Sequence, residues 1–235
     1  KYSPKPGEKE NAIVVYLLGS EGKPNIIKGR YDASTGTVVF KTTHFSLYAV
    51  GYNEVSFDDV ALHAWYRDAV DFIAAREITS GTSANHFSPN KKLTRGQYIV
   101  MIMKAYGIAP DQNVSDNFGD AGSTYYTGYL AAAKRLGIAE GIGNNRFAPD
   151  AEISRQDLFV LLYRTLKSLN ELPEGSTGKT LENFNDANQI SAYGQEALAY
   201  FVKTGSISGN GTQLNPQVPA TRAQMAQILY QLLSR

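Results

Sequence analysis

A pattern of residues that recurs three times along the chain constrains its fold more than any other feature. Each copy contains, in order, an Asp-containing turn, an apolar segment that ends at a Gly, a Pro-containing loop and a Thr-Arg or Ser-Arg pair that opens a second apolar segment. The three Arg residues of these pairs are Arg95, Arg155 and Arg222. In a repeat protein each copy forms one supersecondary unit, which buries its apolar face against other copies.

Two helices are predicted in every copy. Apolar residues recur at helical spacing in the first segment, as at Ala69, Val70 and Ile73. The second segment begins with the spacing of a capping box, in which a hydroxyl and a side chain three residues later exchange hydrogen bonds with the backbone. These boxes are Thr94 to Gln97, Ser154 to Asp157 and Thr221 to Gln224.

The second helix of each copy carries an apolar stripe too large to remain exposed, as at Leu158, Phe159 and Leu162. One helix cannot bury such a stripe alone, whereas three equivalent helices can bury it together. We therefore expect a mainly α fold of three helix-loop-helix repeats around a central three-helix bundle with pseudo-threefold symmetry.

The N-terminal segment has a different pattern, in which short apolar stretches alternate with turn residues. Residues 12–18, 25–31, 37–40 and 45–50 predict about four antiparallel strands. So few short strands make a marginal core. We expect a small β segment that either ends a larger β domain or packs against the next part of the chain. The predicted divisions are a β segment over 1–52 and repeats over 53–110, 111–170 and 171–235.

Composition excludes several classes of function. The formal net charge of +1 argues against broad electrostatic binding to nucleic acid. The chain contains no Cys, so it has neither disulfides nor thiolate metal sites, and its three His residues (His44, His63 and His86) lack metal-ligand spacing. No apolar run is long enough to span a bilayer. We expect no metal and no cofactor, and we interpret the chain as part of a longer exported protein.

Catalysis is not expected either. A glycosidase needs two carboxylates that face each other across a cleft, and no such pair stands out beyond the repeated Asp residues. A hydrolase triad needs a placed His, and His63 has no counterpart in the other two copies.

One Arg, one Asp, one Gly and one aromatic residue recur in the same frame and form the predicted site. The Arg follows the cap of the second helix, where the helix dipole disfavours a cation unless an anion comes to it. Free amides at the helix start and a guanidinium fork would then bind a carboxylate or phosphate. The Gly would let the ligand approach the backbone closely, and the aromatic ring would stack against a sugar. The predicted residues are Arg95, Arg155, Arg222, Asp59, Asp120, Asp186, Gly81, Gly141, Gly209, Trp65, Tyr125 and Tyr193.

Each of these residue types also has a purely structural interpretation. The Asp and Arg residues could pair within the fold and pin a loop to a helix. The aromatic residues could belong to the core, and the glycines could simply form turns.

The combined pattern F-x-D-[VA], W/Y, G-I-x-x-G, F-x-P and [TS]-R-x-[EQD] resembles the S-layer homology (SLH) domain, in three copies over residues 53–235. The resemblance implies a non-catalytic module that anchors proteins to the cell wall and surface layer of Gram-positive bacteria. It also implies that each Arg grips the ketal-pyruvate carboxylate of a secondary cell-wall polysaccharide containing pyruvylated N-acetylmannosamine, in grooves between repeats.

This chain departs from the SLH pattern in three respects, one of which is a Gly209-to-Arg222 spacing that is one residue shorter than in the other two copies. No copy keeps the Glu of the family's T-R-A-E signature, and Leu214 stands where the other copies have Phe87 and Phe147. The alternative function is a structural module that assembles with other surface-layer subunits and does not bind glycan directly.

Overall fold

The computed structural model describes residues 1–19, 24–42 and 45–234, so His44 and most of the connection between the predicted strands 12–18 and 25–31 lie outside the described residues. The chain divides into two compact units. The first contains Lys1–Lys91, Lys104–Gly107 and the C-terminal segment that starts at Arg222, and the second contains Lys92–Met103 and Ile108–Thr221.

The described part of the β segment forms two small antiparallel sheets in the first unit. Its strands are β1 (Ile13–Leu18), β2 (Pro24–Ile27), β3 (Gly29–Asp32), β4 (Thr37–Phe40) and β5 (Leu47–Tyr52). One sheet has the order β2-β1-β5, with Val15 opposite both Ile27 and Val50, and the other is the β3-β4 pair. The antiparallel β segment is thus confirmed.

The predicted strand over 25–31 is divided at Lys28 between the two sheets. Gly29 accounts for this break, because a Cβ there would lie 3.1 Å from both Phe40 Cβ and Val15 Cγ2. The absence of a side chain lets the chain cross closely over β1 at this point.

The buried Arg76 joins the β segment to the first repeat. Its guanidinium donates to the carbonyl oxygens of Asn11 (2.8 Å), Ile13 (3.0 Å) and Gly29 (2.9 Å). Its Cζ lies 3.4 Å from the ring centroid of Phe72. Burial lowers the pKa of Arg76 to about 9. The β segment and the first repeat therefore share one core in this unit.

Across the residues that the structure describes, the repeats contain six α-helices, two in each copy, as the pattern predicts. They are α1 (Arg67–Ala75), α2 (Arg95–Ala105), α3 (Thr127–Arg135), α4 (Arg155–Ser168), α5 (Gln195–Lys203) and α6 (Arg222–Leu233). Short 3-10 turns occur at Glu10–Ala12, Leu181–Asn183, Ala187–Gln189 and Ala192–Gly194.

Capping differs between the first two copies. The capping box of α2 is complete, because the Gln97 amide donates to Thr94 Oγ1 and the Thr94 amide donates to Gln97 Oε1. In α4 the amide of Asp157 donates to Ser154 Oγ, but the Asp157 carboxylate turns to other partners. The shorter side chain of Asp157 explains the missing reciprocal bond.

The expectation of a mainly α fold around a central three-helix bundle is wrong. The fold is α+β, and the principal helix pairs in the described part of the chain are α1 with α6 and α4 with α5. The rings of Phe72 and Tyr230 join the first pair at 5.2 Å, and those of Phe159 and Phe201 join the second at 5.8 Å. Two of the second helices, α6 and α4, thus pack apolar side chains against first helices, which carry apolar faces of their own.

None of the helices in the described ranges combines the length and the apolar character needed to cross a bilayer.

Candidate binding grooves

The three predicted Asp residues hold the Pro-containing loops. Asp59 accepts from the amide of Phe87 at 2.8 Å and from the amide of Ser88 at 2.7 Å, one bond on each carboxylate oxygen. Ser88 has a positive φ of 57°. The same pair of bonds joins Asp120 to Phe147 and Ala148, and Asp186 to Leu214 and Asn215.

These bonds shift the acidity of two of the carboxyl groups. Burial acts to raise the pKa of Asp59, but the amides of Phe87 and Ser88 outweigh burial, so its pKa is below the usual value. The pKa of Asp120 is lowered in the same way, against burial, by the amides of Phe147 and Ala148. Both groups therefore favour the carboxylate form that the loops need.

Each predicted Arg is the first residue of a second helix and binds the loop of another repeat. Arg95 Nε donates to the Phe147 carbonyl oxygen at 2.8 Å. The equivalent bonds run from Arg155 to Leu214 at 2.9 Å and from Arg222 to Phe87 at 2.7 Å. The Asp and the Arg thus bind opposite ends of one loop residue, and together they pin the loop.

The expectation of free amides at the start of these helices is wrong. The amide of Arg155 donates to the Val218 carbonyl, and the amide of Gln156 donates to the Pro216 carbonyl. The first two amides of α2 and α6 are used in the same way, within the loops around them. An incoming anion would therefore meet guanidinium groups rather than a helix N-terminus.

The outer guanidinium atoms of the three Arg residues have different surroundings. Arg95 Nη1 lies 2.7 Å from Asp157 Oδ2. Arg222 is only 3% exposed, and its Nη2 donates to Thr79 Oγ1 at 3.2 Å.

Arg155 remains partly exposed. Within the described residues no carboxylate lies within 4.0 Å of its guanidinium. Burial lowers the pKa of Arg155, and the charge of Asp186 opposes this effect. Of the three Arg residues, it is the one that combines exposure with the absence of a salt bridge.

The predicted Gly residues pack against the Phe of the Asp-containing turn. Gly141 has a φ of 83°, and a Cβ there would lie 2.4 Å from the Arg146 carbonyl oxygen and 2.7 Å from Phe118 Cε1. Gly81 and Gly209 have equivalent contacts with Phe57 and Phe184. These glycines are therefore required by the turn and by close packing.

The three predicted aromatic residues are exposed and do not belong to the core. Trp65 and Tyr125 are each 63% exposed, and Tyr193 is 55% exposed. Trp65 lies edge-on to Tyr66, and Tyr125 edge-on to Tyr126, with ring centroids 5.2 Å apart in both pairs. Each of these rings keeps surface that a ligand could contact.

One groove in the second unit brings together predicted residues from three repeats, namely Arg95, Gly141 and Tyr193. We call it the Arg95 groove. Its volume is ≈ 440 Å³, and its wall also contains Asp157, Arg164 and Glu140. These three charged residues were not predicted as site residues, although Asp157 departs from the Gln that the other two copies have at that position.

The family profile described as the S-layer homology domain matches residues 56–99, 117–159 and 183–226. The chain belongs to the S-layer homology family. The predicted resemblance is therefore confirmed, and three SLH repeats follow the β segment.

The SLH chain is similar to both enzymes and surface-layer proteins. It is 31% identical over 233 residues, or 98% of this chain, to an amylopullulanase of Thermoanaerobacterium thermosulfurigenes, of which the match covers 12%. It is 31% identical over 183 residues to the exoglucanase XynX of Acetivibrio thermocellus, covering 77% of this chain and 16% of that protein. It is 27% identical over 174 residues to the S-layer protein sap of Bacillus anthracis, covering 74% of this chain and 21% of that protein.

SLH repeats occur in S-layer proteins and in other cell-surface proteins, and they form an anchoring module rather than a catalytic one. The chain is thus a cell-surface anchoring module. It spans a small fraction of the length of the relatives named above.

Proposed function

We propose that this module anchors its parent protein by binding an anionic, pyruvylated secondary cell-wall polysaccharide attached to peptidoglycan. The observation that carries the proposal is the environment of Arg155. Its guanidinium is partly exposed, is held in place by the Leu214 carbonyl and has no carboxylate partner in the ranges that the structure describes. A positioned cation of this kind suits a carboxylate, which a guanidinium binds through two parallel hydrogen bonds.

The exposed rings of Trp65, Tyr125 and Tyr193 support a saccharide rather than a small inorganic anion. A ring with an apolar face and a polar edge matches the mixed surface of a sugar. In the Arg95 groove, such a ring shares a wall with a guanidinium.

Binding to purified cell-wall sacculi tests this function. We expect the module to sediment with sacculi and to lose this binding when the attached polysaccharide is removed chemically. We expect Arg155→Ala to weaken binding about tenfold or more, because a charge-assisted hydrogen bond contributes about 1.5–3 kcal/mol.

Arg135→Ala is the matched control, since Arg135 is an exposed arginine paired with Asp111. It should leave binding unchanged. Undiminished binding to polysaccharide-free sacculi would refute the proposal, and so would equal binding by Arg155→Ala.

The alternative is a structural module that assembles with other surface-layer subunits. The deep burial of Arg222, whose bonds go to Phe87 and Thr79 of the same unit, favours this role for the third copy. Self-association measured by analytical ultracentrifugation in the absence of polysaccharide separates the two functions. Assembly that needs no polysaccharide supports the structural role.

A further inference from the structure

The Arg95 groove already holds a carboxylate where an acidic sugar would bind. Asp157 Oδ2 accepts from Arg95 Nη1 at 2.7 Å. Its other oxygen, Oδ1, accepts from the Tyr193 hydroxyl at 2.7 Å. Both oxygens of Asp157 are thus bound, and the salt bridge occupies Nη1, one of the two outer nitrogens that would bind an external carboxylate through two parallel hydrogen bonds.

A second ion pair neutralises the remaining charges in the wall of the groove. Arg164 Nη2 lies 2.7 Å from Glu140 Oε2. The charged residues in the wall are therefore two arginines and two carboxylates, each paired with one of the other kind. An incoming anion would therefore gain no net Coulomb attraction from these four charges.

The same wall suits a neutral sugar. Carboxylate oxygens accept from hydroxyl groups, and guanidinium groups donate to them. The Tyr193 hydroxyl also accepts from Gln156 Nε2 at 2.7 Å, so two hydrogen bonds hold the half-exposed ring in position. Ile142, Val160 and Leu161 add apolar surface to the groove. A few placed polar groups beside apolar and aromatic surface are typical of small-ligand sites.

We propose that the Arg95 groove binds a neutral sugar residue of the polysaccharide and that Asp157 excludes its acidic residues. This inference rests on the proposed function and adds that the grooves differ in the charge of the sugar they take. The difference comes from one position, because repeats 1 and 3 have the neutral Gln97 and Gln224 where repeat 2 has Asp157.

An NMR titration that follows the amide signals of Gly141, Ile142 and Tyr193 tests the inference at this groove. The probes are N-acetylmannosamine and its ketal-pyruvylated form. In the parent module we expect the neutral sugar to shift these signals and the pyruvylated sugar to shift them only at about tenfold or higher concentration. Asp157→Gln should lower the dissociation constant of the pyruvylated sugar about tenfold.

A double variant assigns that gain to Arg95. In Arg95→Gln/Asp157→Gln the gain should disappear, because the guanidinium that Asp157→Gln releases from its salt bridge is gone. Asp157→Asn, which retains the side-chain length, serves as a second variant, and thermal unfolding checks that each variant folds.

The outcomes separate the inference from the proposed function. If the parent binds sacculi but its groove signals respond equally to both sugars, or if Asp157→Gln gains nothing, the inference alone is overturned. If the parent fails to bind polysaccharide-bearing sacculi, the proposed function falls and the inference falls with it.

Discussion

Asp120 and Arg95 bind the same residue from opposite ends of its backbone. The Phe147 amide donates to Asp120, and the Phe147 carbonyl accepts from Arg95 Nε, both at 2.8 Å. Two charged side chains therefore position one peptide segment between them. The loop of every repeat is held in this way, by an Asp from its own copy and an Arg from another copy.

Replacing one of these Asp residues should destabilise the module. Asp120→Asn keeps one acceptor oxygen but turns an amide group toward the second backbone donor, leaving Ala148 or Phe147 without an acceptor. We expect the free energy of unfolding to fall by about 1–3 kcal/mol, measured by urea denaturation. Asp116→Asn is the control, since the Asp116 side chain is 98% exposed, and it should change stability by less than about 0.5 kcal/mol. Equal losses in both variants would contradict this role.

Stability should decrease in acid because of the same carboxylates. The pKa values of Asp59 and Asp120 are lower in the folded chain than the unfolded value of about 3.9. Their contribution is therefore fully present above the unfolded pKa and is lost as pH falls through the folded pKa. Urea titrations from pH 7 to pH 2 should show this loss below about pH 4, with a smaller slope in Asp120→Asn. An identical slope in the parent and the variant would argue against it.

Two neighbouring glycines separate backbone strain from steric overlap. Both Gly141 and Gly143 have a positive φ, but only at Gly141 would a Cβ meet other atoms, 2.4 Å from the Arg146 carbonyl oxygen. Gly143→Ala adds strain of about 1 kcal/mol, whereas Gly141→Ala must also displace the loop. We expect a clearly larger fall in melting temperature for Gly141→Ala. Similar melting temperatures would show that the loop can move away.

Removing Arg76 should detach the β segment locally. Arg76→Met leaves the carbonyls of Asn11, Ile13 and Gly29 without their buried donor, at a cost of about 3 kcal/mol or more. Hydrogen exchange should accelerate in β1 and β3 more than in α4. Arg30→Met is the control, because Arg30 has a long surface contact of 3.9 Å with Asp32. Unchanged exchange in β1 would rule out this function for Arg76.

Recurrence made the charged residues predictable, while their partners depended on the fold. A residue that recurs at the same position in all three repeats is expected to have the same role in each. The sequence singled out each Asp, Arg and Gly on that basis. The salt bridge between Arg95 and Asp157 joins residues 62 positions apart, so it depends on how one repeat is placed against another. Local patterns carry no information about that placement.

The wrong predictions have a common physical origin. An apolar stripe on α4 shows that this face is buried but not what covers it, and Phe159 in fact packs against Phe201 of α5. Likewise, the position of Arg155 shows that the helix starts there but not that its amide is already bonded to Val218. In both cases the missing information was the identity of a distant partner.

The bond from Arg222 to the Phe87 carbonyl has a consequence for how such modules can evolve. The last copy completes the first, so excising or duplicating a single copy would leave one arginine facing a foreign loop. We therefore expect recombination that keeps these loops intact to transfer all three copies together, as one unit.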